Sequence, residues 1–179
     1  MSMDHIMAIN TPPLLFEPYC PVPSEILYKI FEIAELKPNE TFCDVGSGDG
    51  RVVAAAAFHG AQATGIELEI DIYQKSLALF YFLGLNKVVS ILNEDALESD
   101  ISVYDVVFTN LCEDNARRIF DKFKISHKVG ARMIMYLGVP SSGRRCYNCE
   151  LSLLEENLDG VVLYTFDDYQ GTHAVLIAR

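Results

Sequence analysis

Short apolar runs alternate with longer segments of helical periodicity along most of this chain, and this alternation constrains the fold more than any other feature. Parallel strands need long crossover connections, so a strand-helix-strand order predicts a mainly parallel sheet with helices on both faces. The predicted strands cover residues 41–45, 63–67, 88–92, 104–109, 132–137, 161–166 and 174–178. Predicted helices cover residues 51–59, 70–83 and 113–123, and an earlier one is N-capped by Ser24 and stops at Lys37-Pro38.

The last two predicted strands leave no room for a helix between them, so we expect an antiparallel hairpin at the end of the sheet. Five of the seven prolines fall within residues 1–23, which predicts an irregular proline-rich arm. Residues 24–179 then form one domain, a size that can bury a substantial core when half of all residues are hydrophobic. The expected class is α/β, with a doubly wound, mainly parallel, seven-stranded sheet.

The first predicted strand runs straight into a glycine turn and then a helix, in the order Asp-Val-Gly-Ser-Gly-Asp-Gly-Arg. Gly46, Gly48 and Gly50 allow a tight turn and a close approach of a ligand to the backbone, because none carries a Cβ atom. The turn lies at the carboxyl end of a parallel strand, where backbone N–H groups and a helix N-terminus face the ligand. A tight connection without any ligand is the alternative for glycine spacing alone.

Two acidic residues follow the next two strands. Glu67 lies about 20 residues after the turn opens, where a carboxylate accepts hydrogen bonds from ribose hydroxyls in this kind of fold. Asp95 follows the third strand, in a position to meet an adenine amino group. Together with the glycine turn they predict a nucleoside site, although each carboxylate taken singly could be a solvated surface group.

The glycine word resembles motif I of class I S-adenosylmethionine-dependent methyltransferases and lacks the Gly-x-Gly-x-x-Gly spacing of dinucleotide sites. The resemblance implies the Rossmann-like methyltransferase fold and S-adenosyl-L-methionine as cofactor. It also implies that Asp44 lies near the methionine ammonium group, and that the three glycines, Glu67 and Asp95 bind the cofactor.

Two further segments are similar to the small archaeal and mitochondrial protein lysine methyltransferases, and to histone lysine methyltransferases of the telomeric-silencing-disruptor type. They are the arm Phe-Glu-Pro-Tyr-Cys-Pro-Val-Pro at residues 16–23 and the strand end Val-Val-Phe-Thr-Asn at residues 106–110. In those families the arm covers the cofactor and shapes a channel for the acceptor lysine. The resemblance implies that Tyr19 walls this channel and that Asn110 aligns the acceptor or holds the methionine ammonium group.

Other interpretations of these residues stay open: Tyr19 as a packing aromatic, and Asn110 as a cap at the end of a strand. The likeness spans about residues 16–139, but Leu111-Cys112 and the tail around Cys146 depart from it. The acceptor is therefore less constrained than the cofactor. A small molecule or RNA as acceptor, or a non-catalytic S-adenosylmethionine-binding module, are the alternatives to methylation of protein lysine.

Charge and cysteine content limit the partners. Twenty-five acidic residues against fourteen Lys and Arg give a formal net charge of -11, which disfavours nucleic acid and favours a cationic partner such as a Lys-rich protein. No apolar run is long enough for membrane insertion, the N-terminus is unlike a signal peptide, and the five cysteines are scattered, so we expect a cytoplasmic protein. Cys146 and Cys149 have the spacing of half a zinc site without a second pair, so no metal is expected.

Overall fold

The computed structural model describes residues 21–111, 113–138, 161–168 and 171–179. Tyr19, Cys112, Cys146, Cys149 and most of the predicted arm lie outside these residues. The helices are α1 (Ser24–Ile33), α2 (Arg51–Phe58), α3 (Ile70–Phe82) and α4 (Glu113–Ser126). The strands are β1 (Thr41–Val45), β2 (Gln62–Ile66), β3 (Ser90–Leu92), β4 (Val106–Thr109), β5 (Arg132–Gly138), β6 (Val161–Asp168) and β7 (Gly171–Ala178).

The strands form one seven-stranded sheet in the order β3-β2-β1-β4-β5-β7-β6. Strands β1 to β5 pair in parallel, whereas β7 pairs antiparallel with both β5 and β6. The chain order reverses between β1 and β4, and such a switch point opens a crevice at the carboxyl ends of the strands. The predicted α/β class, the mainly parallel sheet and the terminal hairpin are confirmed.

Alternating side chains of the central strands fill two separate apolar layers, one on each face of the sheet. Phe42, Phe108 and Ile134 face the layer that is covered by α1, α2 and Phe80 of α3. Cys43, Val107 and Met133 face the opposite layer, which is covered by apolar residues of α4. Helices therefore cover both faces, as the apolar runs in the strands predict.

The bounds of several elements differ from those predicted. Helix α1 begins at Ser24 with Pro23 in the N-cap position, so the prediction of Ser24 as the cap is wrong by one residue. The helix also ends before Lys37, because Glu35 adopts a left-handed conformation with φ of 56°. Strand β3 keeps only its last three predicted residues. In the part of the chain that the structure describes, no helix is long and apolar enough to cross a bilayer.

Candidate active site at the carboxyl edge of the sheet

The glycine turn closes over the ends of β1 and β2. The backbone N–H groups of Gly46 and Ser47 both donate to the carbonyl of Ile66, at 2.9 and 3.0 Å. Gly46, Gly48 and Gly50 have φ values of 75°, 56° and 82°, in the left-handed region that favours glycine. The three glycines singled out by their spacing are thus the residues that let this turn form.

Protein contacts explain why two of these positions carry no side chain. A Cβ on Gly46 would collide with the side chain of Leu111, which follows β4. A Cβ on Gly50 would lie 2.6 Å from the ring of Phe80 and 2.8 Å from Cβ of Ser76, both on α3. These two glycines therefore also allow neighbouring elements to pack closely, a role that the spacing of the glycines did not reveal.

Asp44 lies one residue before the end of β1 and is only 2% exposed. Burial raises the pKa of its carboxyl group well above the usual range, and the negative charges of Glu67 and Asp49 raise it further. Among the described residues, no donor lies within hydrogen-bonding distance of this carboxylate. A buried carboxylate in this state is costly by itself and attracts a cation.

Glu67 follows β2 directly and binds the glycine turn with one carboxylate oxygen. Its Oε2 accepts the backbone N–H of Gly48 at 2.8 Å, and its Oε1 accepts the backbone N–H of Glu69 at the same distance. Burial raises the pKa of Glu67, while the two backbone donors act in the opposite direction. The side chain thus holds the turn in place, and each oxygen keeps a lone pair for a ligand hydroxyl.

Asp95 stands in the turn that follows β3. Its Oδ1 accepts the backbone N–H of Leu97 at 2.9 Å, and its carbonyl accepts the N–H groups of Glu98 and Ser99. The Lys122 ammonium group, from α4, donates to the carbonyls of the residues that follow Asp95, namely Ala96, Leu97 and Ser99. The turn that carries Asp95 is therefore fixed from both sides.

Asn93 joins the end of β3 to the end of β2, and its role was not predicted from the sequence. Its side-chain N–H group donates to the carbonyls of Glu67 and Leu68, at 2.8 and 2.9 Å. This contact links the neighbourhood of Glu67 to the turn of Asp95. Its position two residues before Asp95 is the one signal in the sequence that could have identified it.

Asn110 is half-buried and follows β4, which pairs with β1. The hydroxyl of Thr109 donates to the carbonyl of Val45 at 3.2 Å, which fixes the end of β4 beside the glycine turn. The structure therefore brings Asp44, the three glycines, Glu67, Asp95 and Asn110 to one edge of the sheet. Tyr19 lies outside the described residues.

An ion pair within the turn points toward the arm. Arg51 binds Asp49 through two nitrogens, with Nε 3.0 Å from Oδ1 and Nη2 2.7 Å from Oδ2. The same guanidinium group donates to the carbonyl of Val22 at 3.4 Å. Val22 is 2% exposed, so the last residues of the predicted arm pack against the domain beside the glycine turn.

Ser47 adds a buried hydroxyl that has no hydrogen-bond partner within the described structure. It fits only because residue 65 is glycine, since a Cβ there would lie 2.7 Å from the Ser47 oxygen. The described residues bring no three His, Cys, Asp or Glu side chains together as metal ligands. The site therefore combines a glycine turn, buried carboxylates and an unused hydroxyl.

Comparisons with known proteins agree with this geometry. The chain is 29% identical over 121 residues to a protein-lysine N-methyltransferase of Saccharolobus islandicus, a match that covers 66% of this chain and 75% of that protein. It is 30% identical over 93 residues to a lysine N-methyltransferase of Caenorhabditis elegans that is named for one of the subunits of ATP synthase, and the match spans about half of each protein (49%). No family profile matches the chain.

Among solved structures, an RNA methyltransferase from Salinibacter ruber in complex with S-adenosyl-L-homocysteine superposes with a TM-score of 0.68. The match is 24% identical and covers 89% of this chain and 92% of that one. At this identity the likeness shows the fold and carries nothing about the acceptor.

Proposed function

The chain has the class I methyltransferase fold and is related in sequence to protein-lysine N-methyltransferases, and from this premise we propose that it methylates lysine side chains of proteins. The methyl donor is S-adenosyl-L-methionine, which supplies an electrophilic methyl group on a positively charged sulfur. Residues of this chain contribute separately to binding of the cofactor and to positioning of the acceptor.

Asp44 supports the cofactor assignment most directly. Its carboxylate is 2% exposed, and none of the described residues gives it a donor, so the apo site holds a negative charge without compensation. S-adenosylmethionine brings both an ammonium and a sulfonium charge, and a cation beside Asp44 favours the ionised carboxylate. NAD offers no comparable cation-rich end, and the glycine spacing does not match its fingerprint.

The other site residues suit the rest of such a ligand. Glu67 offers acceptors to ribose hydroxyls while it holds Gly48, and Asp95 offers a carboxylate to the adenine amino group. Asn110 reaches the crevice from β4, where its carbonyl groups can accept from the methionine ammonium group or from the acceptor amine. The fit thus rests on acceptors at the ends of β2, β3 and β4.

The acceptor assignment rests on charge and on positioning. An excess of eleven acidic charges attracts a Lys-rich protein, and a desolvated channel beside a sulfonium lowers the pKa of the entering lysine. No dedicated base is needed, so alignment of the amine with the methyl group supplies most of the rate. The buried Val22 supports an arm that lies beside the site, where Tyr19 would wall the channel. A buried free Cys43 thiol agrees with a reducing, cytoplasmic location.

Titration calorimetry tests the cofactor assignment. We expect binding of S-adenosylmethionine and S-adenosylhomocysteine with dissociation constants on the order of micromolar, and none for NAD. Tight binding of NAD, with none of the sulfonium compound, would contradict the cofactor assignment. This result does not depend on the acceptor.

A cell extract supplied with radioactive methyl donor tests the acceptor. We expect label on protein, mass spectrometry to find methylated lysine, and labelling to weaken as salt screens the acidic surface. Label on nucleobases or on small solutes would replace lysine as acceptor and leave the cofactor assignment intact. Cofactor binding without transfer to any extract component would indicate a non-catalytic binding module.

Removal of residues 1–21 tests the arm. Because the truncated chain keeps Val22 and its contact with Arg51, cofactor affinity should stay within a few fold. Methyl transfer should fall by about a hundredfold, since positioning of the acceptor is what the arm supplies. Tyr19→Ala is the matched single change, and Tyr28→Ala on the exposed side of α1 is its control. Full activity of the truncated chain would remove the arm from the mechanism.

A further inference from the structure

The polar row at the carboxyl edge continues beyond Asn110 onto the next strand. Strands β4 and β5 are in parallel register, with Thr109 opposite Met135, so Asn110 and Tyr136 follow side by side. Parallel neighbours lie about 4.8 Å apart. Tyr136 therefore lies one strand farther from the glycine turn than Asn110 does, on the side that leads away from the cofactor.

Side-chain alternation puts Tyr136 on the same face of the sheet as the cofactor carboxylate. Phe42 and Ile134 both belong to the apolar layer under α1 and α2, and side chains two residues apart along a strand share a face. Asp44 and Tyr136 therefore point to that layer, which also contains Val22 from the end of the arm. Cofactor carboxylate, arm and Tyr136 share one side of the sheet.

Tyr136 forms a buried hydrogen bond with His173 on β7. Its hydroxyl oxygen lies 2.9 Å from Nδ1 of His173, and the rings stack with their centroids 6.1 Å apart. His173 is completely buried, whereas Tyr136 keeps 5% of its surface exposed. Of this pair, only the tyrosine could touch a substrate, and the histidine could act only through it.

The β5 strand is irregular directly after Tyr136. Tyr136 pairs with Val175, but the next pair joins Gly138 to Ala174, so Leu137 is an extra residue in the ladder. Bulges of this kind occur next to active sites, where they redirect a side chain. The bulge and the buried pair are independent features that both lie at the end of β5.

A purely structural role explains these features less well. The layer around Tyr136 consists of apolar residues, and a Phe-Leu pair would fill the same space without burying a hydroxyl and an imidazole. Tyr164, on β6 opposite Val175, lines the same layer without a hydrogen bond among the described contacts. A tyrosine in this layer therefore does not require a histidine partner for packing.

We infer that the Tyr136–His173 pair forms the acceptor end of the site, where the Tyr136 hydroxyl oxygen accepts a hydrogen bond from the incoming lysine amine. The inference rests on the proposed lysine methylation. His173 is a positioning residue that fixes the orientation of the Tyr136 hydroxyl. The ammonium group releases one proton to water as it enters, and the nitrogen lone pair then forms the bond to the methyl carbon. The electron pair of the broken carbon–sulfur bond stays on sulfur.

Tyr136→Phe tests the direct contact, with Tyr164→Phe as the matched control. On the lysine-bearing protein that the wild type labels in extract, Tyr136→Phe should lower kcat by about tenfold to a hundredfold. The dissociation constant of S-adenosylhomocysteine should stay within about twofold of the wild-type value, and Tyr164→Phe should match the wild type in both. Activity of Tyr136→Phe within about twofold of wild type would overturn the inference while lysine methylation stands.

Variants of His173 separate positioning from folding. His173→Leu should lower kcat about as much as Tyr136→Phe, and the double variant should be no slower than Tyr136→Phe alone. His173→Asn, which retains a polar atom near Nδ1, should recover part of the rate. Additive losses, or equal rates for the Leu and Asn variants, would overturn the positioning role.

A measurement on the unaltered protein covers the case in which these variants do not fold. With S-adenosylhomocysteine bound, n-butylamine should shift the ¹⁵N resonance of His173 Nδ1 in a saturable way, because it binds the Tyr136 oxygen. No shift at saturating amine would overturn the inference. If the wild type transfers methyl groups only to acceptors other than lysine, the proposed function fails, and the acceptor inference fails with it.

Discussion

The two edges of the sheet treat the same residue type in opposite ways. At the amino edge, Asp105 accepts the backbone N–H and the hydroxyl of Thr41, at 2.8 and 2.7 Å, and pairs with Lys128 at 2.7 Å. These donors lower the pKa of Asp105 to about 2. At the carboxyl edge, burial without a described donor raises the pKa of Asp44 well above the usual range.

Arg132 extends the contrast at the amino edge. Its guanidinium group pairs with the Glu40 carboxylate at 2.6 Å and donates to the carbonyls of Ala34 and Glu35, which follow the end of α1. The guanidinium and the groups that it contacts are therefore matched within the protein. The amino edge stabilises the fold, whereas the carboxyl edge keeps unmatched groups for a ligand, at a cost in stability.

The largest expected effect is on the glycine turn. Gly48→Val should abolish cofactor binding, a loss of more than about a thousandfold, because a branched side chain would enter the space where ligand and backbone meet. Gly130→Val at the amino edge is the control, since its φ is also positive and its Cβ would meet no atom within 4 Å. Calorimetry should find normal affinity for this control. Normal affinity of a folded Gly48→Val protein would place the cofactor elsewhere.

Arg132→Leu should produce the largest loss of stability. Removing one partner of a buried ion pair costs about 3 to 5 kcal/mol in the free energy of unfolding, measured with urea. Arg179→Leu, which breaks an exposed pair with Glu35, should cost at most about 1 kcal/mol. Cofactor affinity should be unchanged in both. A loss of affinity in Arg132→Leu would show that the two edges are coupled.

Asp44→Asn should separate binding from stability. Cofactor affinity should fall about a hundredfold, about 2.8 kcal/mol, through loss of the charge that meets the cation. The raised pKa of Asp44 means that its stabilising contribution is present below the unfolded pKa and is lost as pH rises through the folded value. The variant should therefore melt higher than wild type near neutral pH, with the difference shrinking in acid.

The same raised pKa of Asp44 predicts how cofactor affinity depends on pH. The cation prefers the ionised carboxylate, so wild-type affinity should increase with pH as Asp44 ionises, and the affinity of Asp44→Asn should not. A wild-type affinity that is independent of pH would contradict a contact between Asp44 and the cofactor.

Glu67→Ala should weaken cofactor binding by about 1.5 to 3 kcal/mol, the usual value for hydrogen bonds to a charged group. Part of this loss comes from the Gly48 N–H group, which also loses its acceptor. Glu69→Ala is the control, because it removes a nearby charge and leaves the Glu67 contacts intact. Equal affinity in Glu67→Ala and wild type would make Glu67 a solvated carboxylate.

Asp105→Asn should have the smallest effect. The lowered pKa of Asp105 gives stability that is present above the unfolded pKa of 3.8 and is lost as pH falls toward about 2. The group is partly exposed, so solvent screening limits the contribution to about 1 kcal/mol. Urea unfolding should show this loss near neutral pH and none below about pH 2. A change in cofactor affinity would contradict the separation of the two edges.

Most of the candidate site could be predicted from the sequence because its signals are local. Strand ends, the glycine turn and the following acids lie within short stretches whose periodicity shows where each strand stops. That Asp44, Glu67, Asp95 and Asn110 bind the cofactor stays a prediction, as does the role of Tyr19. Asn93, Arg51 and the Tyr136–His173 pair were missed, because their partners are distant in the chain or are backbone atoms.

By itself, the sequence determined the layered α/β architecture, the terminal hairpin and the turn at the first strand, because alternation of apolar and polar residues encodes burial locally. Only the tertiary structure decided which carboxylate stabilises the protein and which one is left for a ligand. Asp44 and Asp105 are the same residue type on or beside neighbouring strands, but desolvation and donor distance depend on what folds against them. Those neighbours are Lys128, Thr41 and Glu67, which no local pattern around either aspartate specifies.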